Sequence, residues 1–181
     1  MKEVNPGKEA DTTPNIFIRK AESGDWPFWR QNDHHSLEND RHSLENGHYS
    51  SKIGDHPSEI DHYGEMHFTD KVLTGTGYVI FCGDAPAGIF HYCLLWDSCP
   101  FLNCLFIQEE YRGSGLGTAA LLYWEREMKA LGYPMVMLST QVDEEAQHFY
   151  RKRGYVDCGG IVFSGTPLDQ PMEMVMRKVL G

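Results

Sequence analysis

Nowhere in these 181 residues is there an apolar run near the roughly 20 needed to cross a bilayer. The opening Met1-Lys2-Glu3-Val4-Asn5-Pro6-Gly7 has no apolar signal core either. The expectation is a soluble, cytoplasmic protein with no membrane partner. Basic residues are scarce: 16 Lys and Arg stand against 26 Asp and Glu, a net charge of −10. Such a surface repels phosphate backbones, which disfavours a nucleic-acid partner, and it suits a cationic one such as an amine. Paired cysteines are missing too. The five present, Cys82, Cys93, Cys99, Cys104 and Cys158, are odd in number and include no Cys-x-x-Cys. They read as reduced, mostly buried thiols rather than a disulfide frame or a metal site.

What is present is enough for one core. Hydrophobic residues make up 41% and aromatics 12%, too apolar for a disordered chain and of a length suited to a single domain. Residues 1–14 are polar and read as a flexible tail, leaving 15–181 as the domain. Ile16 to Arg19 reads as a strand, and Gly24-Asp25-Trp26-Pro27 as a loop leading into a helix through Phe28 and Trp29. Tyr78–Cys82, the turn Gly83-Asp84-Ala85-Pro86 and Ala87–Trp96 form a hairpin, and Leu102–Gln108 is a further strand. Leu116–Leu131 has helical spacing, with Leu121, Trp124, Met128 and Leu131 on one face and a Glu125–Lys129 pair on the other, stopped by Gly132 and Pro134. Met135–Ser139 is a strand, Asp143 caps a short helix that runs to Arg153, and Ile161–Phe163 and Glu173–Val179 close the chain as strands. The order is mixed α/β (α+β), with antiparallel hairpins at both ends.

Residues 31–67 hold seven of the nine histidines, and His35-Ser36-Leu37-Glu38-Asn39 recurs as His42-Ser43-Leu44-Glu45-Asn46. Two copies are too few for a solenoid. His34, His35, His42 and His48 form no His-x-x-x-His pair, so they read as solvated surface groups and no metal is expected.

The stretch with chemistry in it is Gln108-Glu109-Glu110-Tyr111-Arg112-Gly113-Ser114-Gly115-Leu116-Gly117-Thr118, between a strand and an amphipathic helix. Three glycines let backbone N–H groups converge on an anion, and the helix adds its positive end. A pyrophosphate is the natural guest, with Arg112 and Thr118 adding charge and a hydroxyl. A P-loop needs Lys and then Ser or Thr after its last glycine, and Thr118-Ala119 follows here instead. Gly115-Leu116-Gly117-Thr118-Ala119-Ala120 fits a dinucleotide fingerprint, with Asp143 as the acidic partner. That loop, however, normally opens its domain and is followed by long βαβ units.

The run Leu105 to Gly117, an apolar strand followed by Arg-Gly-x-Gly-apolar-Gly, resembles the acetyl-CoA motif of the GNAT acyltransferase superfamily. Asp143-Glu144-Glu145-Ala146-Gln147-His148-Phe149-Tyr150-Arg151-Lys152-Arg153-Gly154-Tyr155 resembles that family's second signature. The resemblance covers roughly residues 100–157. It implies a single domain with a largely antiparallel central sheet flanked by helices, which transfers an acetyl group from acetyl-CoA to an amine of a small molecule or peptide. It also allows a homodimer. By the same resemblance, backbone groups of Leu105, Phe106 and Ile107 serve the pantetheine arm. Arg112, Gly113, Ser114, Gly115, Leu116, Gly117 and Thr118 hold the pyrophosphate, and Tyr150 protonates the departing thiolate. Asp143 stands where the family often has asparagine, as a helix cap first and a cofactor contact second. No general base follows. The strand cores lack the family's glutamate, and Asp97, His91, Glu109 or a water chain remain open. Cys104, in an apolar strand, reads as a buried, inert thiol. The alternatives are a non-catalytic acyl-CoA sensor and a dinucleotide-binding protein.

Overall fold

The computed structural model describes residues 15–33, 57–166 and 170–181, with backbone alone for 57–63. The tail 1–14, His34, His35, His42, His48 and the duplicated pentapeptide lie outside the described residues. The strands are β1 (Ile16–Lys20), β2 (Gly77–Cys82), β3 (Ala85–Leu95), β4 (Cys99–Ile107), β5 (Met135–Gln141), β6 (Val156–Ile161) and β7 (Glu173–Val179). The helices are α1 (Trp26–Asn32), α2 (Pro57–Thr74), α3 (Leu116–Ala130) and α4 (Ala146–Arg151). The strands form one sheet in the order β1-β2-β3-β4-β5-β7-β6. Every neighbouring pair is antiparallel except β4 and β5. A dinucleotide fold is built from successive parallel βαβ units, so this sheet does not house one.

Period-two alternation divides β2 and β3 between two cores. Tyr78, Ile80, Phe90 and Tyr92 face α3 and meet Leu121, Trp124 and Met128, while Val79 and Ile89 face the other way onto Trp29 and Phe68. Burial of side chains this large contributes about 1.5–3 kcal/mol each. The first core fixes α3, and with it the glycine loop that precedes α3. The second holds α1 and α2 on the opposite face. Trp29 is core, whereas Trp96 is 76% exposed.

Several local readings need correcting. Leu131 is exposed and sits at the C-cap of α3, because the helix ends one residue early and the last hydrophobic has no sheet beneath it. Glu125 does not pair with Lys129. It is buried and takes Lys178 Nζ from β7 at 2.6 Å, while Lys129 reaches the Gly181 carbonyl. Asp143 is exposed and caps nothing, for α4 begins at Ala146 with Glu145 as its N-cap residue. The turn is held by Glu144 instead, whose carboxylate accepts from Thr140 Oγ1 at 2.7 Å and from the Gln141 N–H at 3.4 Å. The penultimate strand ends at Ile161, so Val162 and Phe163 lie beyond it. Of the thiols, Cys99 and Cys104 are buried, Cys82 and Cys93 are half-buried and Cys158 is exposed.

The Lys178–Glu125 contact ties the last strand to the middle of α3. Lys178→Met would leave a carboxylate in a buried position without its counter-charge, a loss of the kind that costs about 3 kcal/mol or more. The expected outcome is a clearly lower midpoint in urea unfolding with an unchanged slope. An unchanged midpoint would mean the pair holds nothing.

Candidate functional site

β4 and β5 run parallel, and their ladder consists of two register pairs, Phe101↔Met137 and Leu102↔Leu138. Beyond Leu102 the tail of β4 stays on β3 through Leu105↔Phe90, Phe106↔Ile89 and Ile107↔Gly88, so the two parallel strands part. A bulge marks the point of parting. Leu102 faces Tyr92 and Cys104 faces His91, which leaves Asn103 as the extra residue. A bulge bends its strand and raises its twist, and here it takes β4 away from β5. Gly88 lets the tail lie close to β3, since a Cβ there would sit 2.4 Å from the Phe106 carbonyl oxygen. The β5-side edge of Leu105, Phe106 and Ile107 therefore borders the opening.

The glycine loop begins where β4 ends. Arg112 donates from Nε to the Ile107 carbonyl at 3.0 Å, and its guanidinium lies 5.8 Å from the Phe106 ring centre. The Ser114 hydroxyl donates to the Tyr111 carbonyl, closing the turn. Gly113 and Gly115 have φ of +76° and +91°, a region that side chains rarely adopt, and a Cβ on either would meet open space. Glycine is needed at both positions for the backbone path rather than for room. Gly115 is the N-cap of α3 and provides no side-chain cap, so the first N–H groups of a 15-residue helix point outward beside it. Leu116 is anchored in the core and fixes the start of the helix.

The second signature meets this loop from across the opening. A Cβ on Gly117 would lie 3.6 Å from the Phe149 ring of α4. Arg153 donates to the Thr118 hydroxyl and to the Phe149 carbonyl, with its guanidinium 3.7 Å from the Phe149 ring centre. The Thr118 hydroxyl is thus already engaged, and Arg153 brings a cation to the first turn of α3. The sequence reading did not single out Arg153. It lies just past the end of α4, four residues after Phe149, whose carbonyl and ring it holds.

Tyr150 is buried on α4, its ring 5.1 Å from Phe149 and 5.8 Å from Tyr155. Burial pushes its pKa well above that of an ordinary phenol, and Cys104 and Glu144 add to the rise. The phenol keeps its proton at any physiological pH. Asp143, by contrast, is exposed in the turn before α4.

The candidate bases separate by position. Asp97 lies with Trp96 in a left-handed turn between β3 and β4, at the end of β4 away from the glycine loop. Glu109 is exposed in the short turn after β4. His91 is 3% exposed and faces the α1–α2 side. There it meets Asp33 at the end of α1, with Nε2 3.8 Å from Oδ1, and the His67 ring of α2 at 5.2 Å between centres. Asp33 accepts the Trp29 Nε1–H at 3.0 Å. Burial favours the protonated form of Asp33, but the His67 and His91 imidazoles and the Trp29 N–H outweigh it, and its pKa is well below the usual carboxylate range. Burial lowers that of His91, against the pull of Asp33. The carboxylate therefore carries the charge and the His91 ring is neutral. Cys104 joins the same group, and burial pushes its thiol pKa well up, so the thiol keeps its proton unless a cation takes its place.

A family model described as the acetyltransferase (GNAT) family matches residues 23–155. The chain belongs to the GNAT family. Its members generally use acetyl-CoA as co-substrate. Ard1 from Thermoplasma volcanium superposes on this GNAT chain with a TM-score of 0.67 at 15% identity, over 92% of this chain and 98% of that one. A ribosomal-protein-alanine N-acetyltransferase from Brucella melitensis gives 0.64 at 16%, over 91% and 99%. A spermidine N-acetyltransferase mutant from Vibrio cholerae gives 0.62 at 17%, over 91% and 94%. At these identities the likeness is one of fold. No curated protein matches the sequence.

Proposed function

We propose that this GNAT protein is an acetyl-CoA-dependent N-acyltransferase that acetylates an amine of a small molecule or peptide, with residues 15–181 as its domain. The observation that carries the reading is a convergence. The glycine loop follows the end of β4 that parts from β5, and it touches the second signature, with Gly117 against the Phe149 ring and Arg153 on the Thr118 hydroxyl. Tyr150 follows Phe149 on that short helix. Leu105, Phe106 and Ile107 border the opening and serve the pantetheine arm. Gly113, Ser114, Gly115, Leu116, Gly117 and Thr118 receive the pyrophosphate, with Arg112 and Arg153 supplying positive charge. Asp143 stands beside the turn as a secondary cofactor contact.

In the ternary complex the neutral amine nitrogen attacks the thioester carbonyl carbon. Backbone N–H groups of the opened strand stabilise the oxyanion. As the tetrahedral intermediate collapses, the C–S bond breaks and Tyr150 gives its proton to sulfur, while the surplus amine proton leaves to solvent. A phenol is neutral at pH 7 and so has a proton to give. Burial disfavours the phenolate left behind, so the ring oxygen takes a proton back from solvent to complete the cycle. The net charge of −10 favours a cationic acceptor. The neighbours named for a protein alanine and for spermidine make peptide N-termini and polyamines the first acceptors to assay.

Acetyl-CoA and CoA should raise the melting temperature and NAD should not. At 100 times its dissociation constant a ligand stabilises the native state by about 2.7 kcal/mol, a shift easily read by thermal denaturation. A shift with NAD alone would overturn the reading. Turnover across a panel of polyamines, aminoglycosides, amino acids and peptide N-termini then separates an enzyme from a sensor, because a sensor binds acetyl-CoA and acetylates none of them.

A further inference from the structure

The bulge at Asn103 has a second effect. By simple alternation Cys104 would share a face with Leu102, which packs against α3. The extra residue turns Cys104 to the α1–α2 face, opposite His91. Asp33 closes the group from the end of α1, and the Cys104 sulfur, a His91 nitrogen and an Asp33 oxygen all lie within 4.8 Å of one another. All three residues are buried.

We propose that Asp33, His91 and Cys104 form a binding site for a divalent transition-metal ion of the zinc class, completed by His67. Sulfur, imidazole nitrogen and carboxylate oxygen are together the donor set that zinc takes. Bond lengths of about 2.0–2.3 Å put neighbouring donors of a tetrahedral site roughly 3.3–3.7 Å apart. His91 Nε2 and Asp33 Oδ1 stand at 3.8 Å, and His67 Nδ1 lies 3.6 Å from Asp33 Oδ2. The Cys104 sulfur stands within 4.8 Å of the other two donors, so the three must close by up to about an ångström around an ion. His67, which faces the other Asp33 oxygen, must swing in to complete it.

Two further observations support an ion here. Both ring nitrogens of His91 lack a hydrogen-bond partner among the described residues, as does His67 Nδ1. Buried imidazole nitrogens are rarely left so, and an ion is one of the things that answers them. Asp33 is also oriented from outside the group, with Oδ2 taking the Trp29 indole N–H at 3.0 Å and Oδ1 turned to His91. Metal-ligating carboxylates are held by outer hydrogen bonds of this kind. The side chain of His67 is 39% exposed and gives an ion a way in. Cys104 is near enough to Tyr150 to raise the pKa of that phenol, so an ion here would bear on it too, but the test needs no acetyl-CoA.

Cobalt(II) is the probe, because a thiolate on cobalt gives an intense near-ultraviolet charge-transfer band that histidine-only binding does not. The full chain, freed of metal with a chelator, should take up one cobalt with that band and lose it when zinc is added. Cys104→Ser should abolish the band, while Cys158→Ser, at an exposed thiol, should leave it unchanged. Trp29→Phe should weaken cobalt binding about 10–100-fold, as loss of an outer hydrogen bond does. A native chain without the band overturns the proposal whatever the variants do, and so does a band that survives in folded Cys104→Ser. If Cys104→Ser does not fold, Asp33→Asn decides: it should weaken binding at least tenfold, and unchanged affinity overturns the site.

Discussion

Tyr150→Phe is expected to lower kcat on the order of 10²–10⁴-fold, the usual worth of a positioned proton donor. The affinity for acetyl-CoA should hardly change, because the hydroxyl matters most as charge builds on sulfur in the transition state. The substitution is clean structurally, since phenylalanine keeps the ring that packs against Phe149 and Tyr155. A purely structural tyrosine would give the reverse, a lower melting temperature with turnover per folded molecule near that of the native chain. Measuring kcat and melting temperature on one preparation, with an amine the enzyme accepts, separates the two outcomes. A folded variant with native kcat would remove Tyr150 from the chemistry and leave solvent as the proton source.

Gly115→Asp should abolish CoA binding, and the comparison with Gly115→Asn shows why. Position 115 has φ of +91°, which asparagine and aspartate tolerate better than other side chains. Both side chains enter the same open space, so the two variants differ chiefly by one charge. A carboxylate roughly 5 Å from a phosphate, at an effective dielectric of about 20, costs about 3 kcal/mol per unit charge, more than a hundredfold in Kd. The asparagine variant should stay within about tenfold of the native chain. Calorimetric titration with CoA reads both. Equal losses would trace the effect to the backbone, and two unaffected variants would place the pyrophosphate elsewhere.

What the sequence made legible was local. Leu121, Trp124 and Met128 recur at helical spacing because α3 lies along a sheet, and the burial of all three follows from that spacing. The glycine loop stood out because its backbone path needs residues without side chains at Gly113 and Gly115. The partner of Glu125 was not legible, because Lys178 lies 53 residues away and meets it only through β7. Asp143 misled because a cap-type residue before a helix resembles an N-cap, yet Glu144 holds the turn from one position further on. β6 carries no buried alternation, every residue in it being exposed, so the apolar run Ile161–Phe163 drew the strand too far along the chain. Asp33, His91 and Cys104 were invisible as a group. They come from α1, β3 and β4, and the residue that turns Cys104 toward the others is an asparagine with no pattern of its own.

The two-pair ladder between β4 and β5 also bears on how the molecule can move. Each of the other five strand junctions is longer, so the sheet consists of two antiparallel halves, β1–β4 and β5–β7, stitched along one short seam. Rotating one half against the other about Leu102 and Leu138 breaks no hairpin. Across that seam the two halves are held together chiefly by α3, whose buried face packs on β2 and β3 and on β5 and β7 in one core. The width of the cleft is therefore set by side-chain packing rather than by backbone hydrogen bonds.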